Sequence, residues 1–260
     1  MTPTPMVSTW ADLAAEGLVN IAPSAIIHPT AVAIPTDRTG HQRRIIIGPN
    51  AVIGAFAILH GGTEIAADAE IGDHCNIGLP ETGYALREHH AGEGACTLIA
   101  TGAVLRSGVI AYAGTKVGPG SAVGHHTLLR TAVVVGKDAQ LGHSMTVERG
   151  TRIGDGVRCS PLTHLTANMR IGNRAFIGAR VATINDKHLI WRDPEHEAPL
   201  EPPRVEAGAK VGTGVVLMAG VVVGAGALVG AGSVVTRSVE PGAVVYGSPA
   251  KVHGKNEVLR

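Results

Sequence analysis

Residues 117–154 read VGPGSAVGHHTLLRTAVVVGKDAQLGHSMTVERGTRIG, with an aliphatic residue on every sixth position: Val117, Val123, Leu129, Val135, Leu141, Val147 and Ile153. The phase continues through Cys159, Leu165, Ile171, Ile177 and Thr183. It runs back through Ala111, Leu105 and Ile99, making fifteen hexads without a slip. Gly follows the aliphatic position at 118, 124, 136, 142, 154, 172 and 178. Residues 47–77 and 205–235 keep the same period, and weaker hexads begin at Ile21, Ile27 and Ala33.

Six is an even number, so the aliphatic residue and the residue two before it face the same side of a strand. Small residues often fill that second position, as at Ser121, Ala139 and Ala175. Each hexad therefore reads as one short strand plus a bend, where Gly would supply unusual backbone angles. Three hexads close a triangular coil, and coils stack at roughly 4.8 Å by hydrogen bonding to one another. At 18 residues per coil, 21–38 makes one coil, 47–82 two, 99–188 five and 205–240 two. The interruptions near 39–46, 83–98 and 189–204 each follow a whole number of coils, so every loop should leave the prism at one corner. Ten coils give a prism on the order of 50 Å tall. Thr9 to Gly17 reads as a short cap helix with Thr9 and Asp12 near its start. The expected organisation is a cap segment over 1–20, a β-helix over 21–240 and a tail over 241–260.

Composition narrows the function classes. The 260 residues carry 22 Lys plus Arg against 21 Asp plus Glu, a net charge of +1, which gives no electrostatic reason to expect nucleic acid. Two Trp, three Tyr and two Phe are too few for base-stacking platforms. The 35 glycines are about twice the usual ~7% share, but no G-X-Y period signals collagen. Disorder is excluded by 45% hydrophobic and 17% charged residues. Cys75, Cys96 and Cys159 form no CxxC pair and read as reduced thiols. The start, MTPTPMVSTWADLAAEG, lacks a basic segment followed by an apolar one, so the expected location is the cytoplasm. Val211 to Thr236 is uncharged, yet its glycines and six-residue period fit the repeat rather than a membrane span.

Thirteen histidines are many for this length. His125 and His143 are 18 apart and therefore occupy equivalent points on neighbouring coils, with His126 beside the first. A histidine near neutral pKa is a natural general base for an amine or hydroxyl. A solvent-facing ladder of histidines at a bend is the non-catalytic alternative. Arg130 and Glu148, also 18 apart, read as a surface ion pair.

The repeat resembles the hexapeptide-repeat family, whose fold is an all-β, left-handed parallel β-helix; the handedness comes from that resemblance. Some members resemble γ-type carbonic anhydrases, which place two zinc-binding histidines five residues apart. The residues five after His125, His126 and His143 are Arg130, Thr131 and Glu148, so no metal is expected. Residues 205–253, ending SVVTRSVEPGAVVYGSPAKVH, look like the last coils of hexapeptide acyltransferases. In that family coenzyme A lies between adjacent subunits of a trimer. The resemblance thus implies a homotrimer using acetyl-CoA or another acyl-CoA as donor. Small-residue bends at Gly220, Ala225 and Ser248 would meet its pantetheine arm, and Arg237 and Lys251 its phosphates.

The segments VLRSGVIAYAGTKVG, GHHTLLRTAVVVG and IGARVATINDKH are similar to N-acyltransferases of nucleotide-linked amino sugars, over roughly residues 70–253. Those enzymes commonly carry an Asn-Asp pair where the long loop departs, matched here by Asn185 and Asp186. Their Pro follows soon after, whereas KHLIWRD intervenes here before Pro194. The resemblance implies a small amino-bearing substrate, His125 and His143 as catalytic residues, and His126, Asn185 and Asp186 as substrate-binding ones. An O-acyltransferase of a hydroxyl metabolite and a non-catalytic or metal-binding scaffold remain open alternatives.

Overall fold

The computed structural model describes residues 8–36, 41–81, 95–188 and 199–256. Within them the chain winds into three parallel β-faces as a left-handed parallel β-helix. The first face has ten strands, from Val19–Ile21 to Val222–Val223. The second starts at Ile26–Ile27, reaches Leu228–Val229, and is extended by Ala243–Gly247 and Ala250–Lys255. The third holds seven strands from Val32–Ile34 to His164–Leu165, then three more, Ala182–Thr183, Val216–Leu217 and Val234–Val235. Each coil contributes one strand to each face, which makes ten coils.

The 18-residue register is visible in the pairing itself, with Val117 opposite Val135 and Val135 opposite Ile153. The hexad aliphatics point inward and are nearly inaccessible, Ile99, Leu105, Val123 and Leu129 all at 0% exposure. Apolar burial along this single continuous core drives the stacking. All three longer interruptions lie between a strand of the third face and the next strand of the first, so they share one corner as the arithmetic required.

The glycines divide the labour differently from the expectation that the Gly after each aliphatic supplies unusual angles. Those glycines have ordinary φ values; their role is close approach. A Cβ on Gly124 would lie 2.5–2.6 Å from the backbone of Gly142 and His143 on the next coil. The left-handed residue comes two positions later, and half of those are not glycine: Gly108, Gly114 and Gly120, then His126, Ala132, Asp138 and Ser144 at φ of 52–59°. Stacked coils over-determine a conformation that an isolated L-residue disfavours.

The third face has one break. Between His164–Leu165 and Ala182–Thr183, Thr183 Oγ1 accepts the Thr166 N–H at 2.8 Å and donates to the His164 carbonyl at 3.0 Å. A buried hydroxyl thus stands in for a backbone rung.

Both ends of the prism are closed. Helix Trp10–Ala15 begins with a capping box between Thr9 and Asp12, buries Leu13, and donates from Trp10 Nε1 to the Ala31 carbonyl at 2.9 Å. At the other end, residue 240 is followed by Ala243–Gly247, which pairs in parallel with Leu228–Val229 and turns back as an antiparallel hairpin. Tyr246 and His253 stack across that hairpin at 3.5 Å. The uncharged stretch from Val211 folds into five short strands, and no helix among the described residues is long and apolar enough to cross a membrane.

Candidate functional site

His125 and His143 sit at the corner between the second and third faces, on neighbouring coils. Both are exposed. The His125 carbonyl accepts the Ser144 N–H at 2.8 Å, and the His143 carbonyl accepts the Leu162 N–H at 3.1 Å. These bonds fix the stacking that the 18-residue spacing implied. His126 takes the left-handed position, and its ring lies over Gly108, where a Cβ would stand 2.4 Å from Nδ1. Gly108 therefore leaves the space that the His126 imidazole occupies.

The two histidines line one depression of about 310 Å³ with Gln140, Arg158 and Ser160. Sequence reasoning missed these three, although the same arithmetic finds them: Arg158 is one coil below Gln140, and Ser160 one coil below Gly142. The bend carrying His143 is held from inside. Thr127 Oγ1 donates to the Gly142 carbonyl at 2.8 Å and accepts the Met145 N–H at 3.2 Å. Thr127 is 1% exposed, so this clamp is shielded from water.

The remaining candidates lie elsewhere. Asn185 and Asp186 follow Ala182–Thr183 at the corner between the third and first faces. The Asn185 carbonyl accepts the Glu201 N–H at 2.7 Å, and Asp186 Oδ1 accepts the His188 N–H at 2.8 Å, an Asx turn. Gly220 is at the same corner, but the open approach expected there is filled by the chain's own Glu201. A Cβ on Gly220 would be 2.6 Å from Glu201 Oε2, which Lys187 Nζ holds at 2.6 Å. Ala225 is exposed at the opposite end of Val222–Val223. Arg237 and Lys251 do come together, lining a cavity of about 290 Å³ beneath the last coil with Val235, Glu240 and Val252. Ser248 lies in the hairpin turn above that cavity's Ala250 edge. Two cations thus border one partly apolar hollow. A single prism does not gather the histidines, the Asn-Asp pair and this cavity into one place.

Arg130 and Glu148 are more than a surface pair. Glu81, 5% exposed, accepts from Arg130 Nε at 2.6 Å, from Arg130 Nη2, from the Thr131 N–H at 3.1 Å and from the Thr131 hydroxyl. Arg130 Nη1 also meets Glu148, and His164 Nε2 lies 3.8 Å from the other Glu148 oxygen. Burial pushes the Glu81 carboxyl up, but the Thr131 and Arg130 hydrogen bonds outweigh it and hold it below the ordinary range. His164, and then Arg130, hold the Glu148 carboxyl down against its burial. No sequence period links Glu81 to Arg130, 49 residues on. Among the described residues no group of three His, Cys, Asp or Glu side chains converges to hold a metal.

Ten stacked coils with this register define a hexapeptide-repeat architecture. The family model described as bacterial transferase hexapeptide (six repeats) matches residues 202–237. Residues 202–237 thus match the hexapeptide-repeat family, and the described chain has the left-handed parallel β-helix fold. It is 31% identical over 139 residues to the bifunctional protein GlmU of Exiguobacterium sibiricum, covering 54% of this chain and 28% of that one. To the bifunctional protein GlmU of Mycobacterium bovis it is 30% identical over 216 residues, 82% of this chain and 38% of the relative. The chain thus spans about a third of the length of these curated relatives. A solved UDP-N-acetylglucosamine acyltransferase from Campylobacter jejuni aligns over 92% of this chain and 76% of its own, at 16% identity and a TM-score of 0.49.

Proposed function

We propose that this chain is an acyl-CoA-dependent N-acyltransferase acting on a small amino-bearing metabolite, an amino sugar carried on a nucleotide. The observation that carries the reading is the His125–His143 stack lining one depression with Gln140, Arg158 and Ser160. The match of residues 202–237 to a family model described as bacterial transferase hexapeptide supports it.

In this reading the amine nitrogen attacks the thioester carbonyl carbon and forms the new C–N bond. The carbonyl oxygen takes up negative charge, which a backbone N–H at the bend stabilises. Collapse breaks the C–S bond and expels the thiolate. His125 takes the proton that the nitrogen loses and passes it to the departing sulfur, so no net proton is consumed by the side chain. His143 orients its neighbour from the coil below. Arg237 and Lys251 hold the donor's phosphates, and Asn185 and Asp186 face the amino-bearing substrate.

The histidines and the other candidates lie at different corners of one prism. A homotrimer, in which one copy's histidine corner faces another copy's loop corner, would unite them. The test is isothermal titration with acetyl-CoA, followed by a thiol-release assay across amino and hydroxy sugars. Saturable binding and release with amino sugars are the expected results. Turnover of hydroxy sugars alone would make the enzyme an O-acyltransferase, and no acetyl-CoA binding would leave a scaffold. A molar mass of three chains in solution checks the assembly.

A further inference from the structure

On the first face three arginines occupy consecutive rungs, Arg152 opposite Arg170 and Arg170 opposite Arg204. The next outward positions are Val134 above and Val222 below, so the charged ladder has both a beginning and an end. All three side chains are exposed, and they border a depression of about 280 Å³ that also touches Gly154, Gly172 and Glu206. Among the described residues none of the three guanidiniums has an ion-pair partner, and the salt bridges there use other groups. Glu206 lines the same depression without closing on any of them.

Like charges directly opposite one another on paired strands are destabilising, and here the repulsion is repeated across two rungs. Lysine would carry the same charge as a point, whereas arginine's planar fork is suited to bidentate contact with phosphate oxygens. A rung spacing of roughly 4.8 Å lets two neighbouring guanidiniums each take one phosphate of a diphosphate, with the third left for a further anionic group. Three charges bounded by valine suit a small, compact polyanion rather than a nucleic-acid strand, whose binding relies on an extended basic surface.

The geometry points to the Arg152–Arg170–Arg204 ladder as a binding site for the diphosphate group of a nucleotide-type ligand. The source is either a nucleoside diphosphate on the acceptor, in keeping with a donor held by Arg237 and Lys251, or the donor's coenzyme A, which would move the donor's diphosphate from that pair to the ladder. That choice rests on the acyl-transfer reading, whereas the anion site itself does not.

Inorganic pyrophosphate is the probe, titrated calorimetrically into the full chain at low ionic strength. Saturable binding is expected, weakening as salt rises. Arg170→Gln should raise the dissociation constant at least about tenfold, the loss of one or more charge-assisted hydrogen bonds. Arg170→Lys should recover part of it, and Arg180→Gln, an exposed arginine off the ladder, should leave it unchanged. Unaltered melting temperature and molar mass in Arg170→Gln exclude an indirect effect of folding or assembly. Competition then separates the sources: displacement of pyrophosphate by coenzyme A assigns the donor, and displacement by UDP assigns the acceptor. Because pyrophosphate undergoes no acyl transfer, a failed acyltransferase assay leaves this test intact. The ladder site is overturned if pyrophosphate does not bind, or if Arg170→Gln binds it as wild type does. Loss only in Arg237→Gln would also overturn it, placing the anion in the cavity beneath the last coil. Dissociation of subunits by Arg170→Gln with pyrophosphate binding intact would mark the ladder as a contact between copies instead.

Discussion

The carbonyl oxygen of His125 accepts the backbone N–H of Ser144 at 2.8 Å, so the bend carrying one histidine is bonded directly to the bend carrying the other. Their relative position is therefore a property of the backbone. Substituting either imidazole should change chemistry without moving the corner. His125→Ala is expected to lower kcat at least about tenfold, a cautious floor under the usual general-base contribution, with acetyl-CoA affinity nearly unchanged. His143→Ala should lose less, because it acts through its neighbour's orientation. Steady-state kinetics with separate acetyl-CoA titration checks both. Near-full kcat in His125→Ala would mean that water or the departing thiolate takes the proton.

Thr127 offers a stability test at the same corner. Its hydroxyl serves the Gly142 carbonyl and the Met145 N–H from a buried position. Thr127→Val keeps the shape and removes the hydroxyl, leaving both backbone groups short of a partner away from water. The expected loss is about 1–3 kcal/mol in urea unfolding. Thr146→Val, a half-buried outward position on the neighbouring strand, should cost under about 0.5 kcal/mol. Equal effects in the two variants would contradict the clamp.

The pH dependence of stability follows from the carboxylates around Arg130. Both Glu81 and Glu148 have folded values held below the ordinary carboxyl range. Their contribution is complete above the unfolded value near ~4.3 and is lost as the pH falls through the depressed folded values. Glu81→Gln should therefore flatten the acid limb of the stability curve below about pH 4.3, which thermal melts from pH 7 to pH 3 would register. Arg130→Met should be worse at neutral pH, because it strands two partly buried carboxylates. We expect roughly 2–3 kcal/mol, less than the ~3–5 for a fully buried pair because the guanidinium retains some exposure.

The fold was legible because one period governs everything that forms it. Counting by six gave the strands, and counting by eighteen gave the rungs, the common loop corner and the His125–His143 stack. What counting did not give has a different physical origin. The glycines after each aliphatic looked like sources of unusual φ, yet Gly124 is required by the backbone of the coil below, a contact that periodicity places but does not characterise. Glu81 reaches Arg130 from beside an interruption, where spacing no longer follows the period. The occupation of Gly220 by Glu201 likewise comes from chain outside the repeat. Arg158 is the counter-example: one coil below Gln140, it follows from the same arithmetic, but spacing alone assigns no chemistry to a rung.

The three cysteines give a final test that reads core packing directly. Cys75 and Cys159 face the interior at 0% and 2% exposure, while Cys96 is exposed. Burial pushes the Cys75 thiol up to about 11 and the Cys159 thiol up to about 12. The thiolate is the reactive form, so both interior groups are protected by access and by protonation together. In the folded protein at pH 8 a thiol-specific chromogenic reagent should titrate one of the three cysteines quickly. The other two should follow only at the rate at which the coils open. Adding denaturant should release all three. Cys96→Ser should abolish the fast phase and leave the slow one. Fast reaction of Cys159 in the native protein would show that the coils around Ile177 and Leu141, which enclose it, are not closed as described.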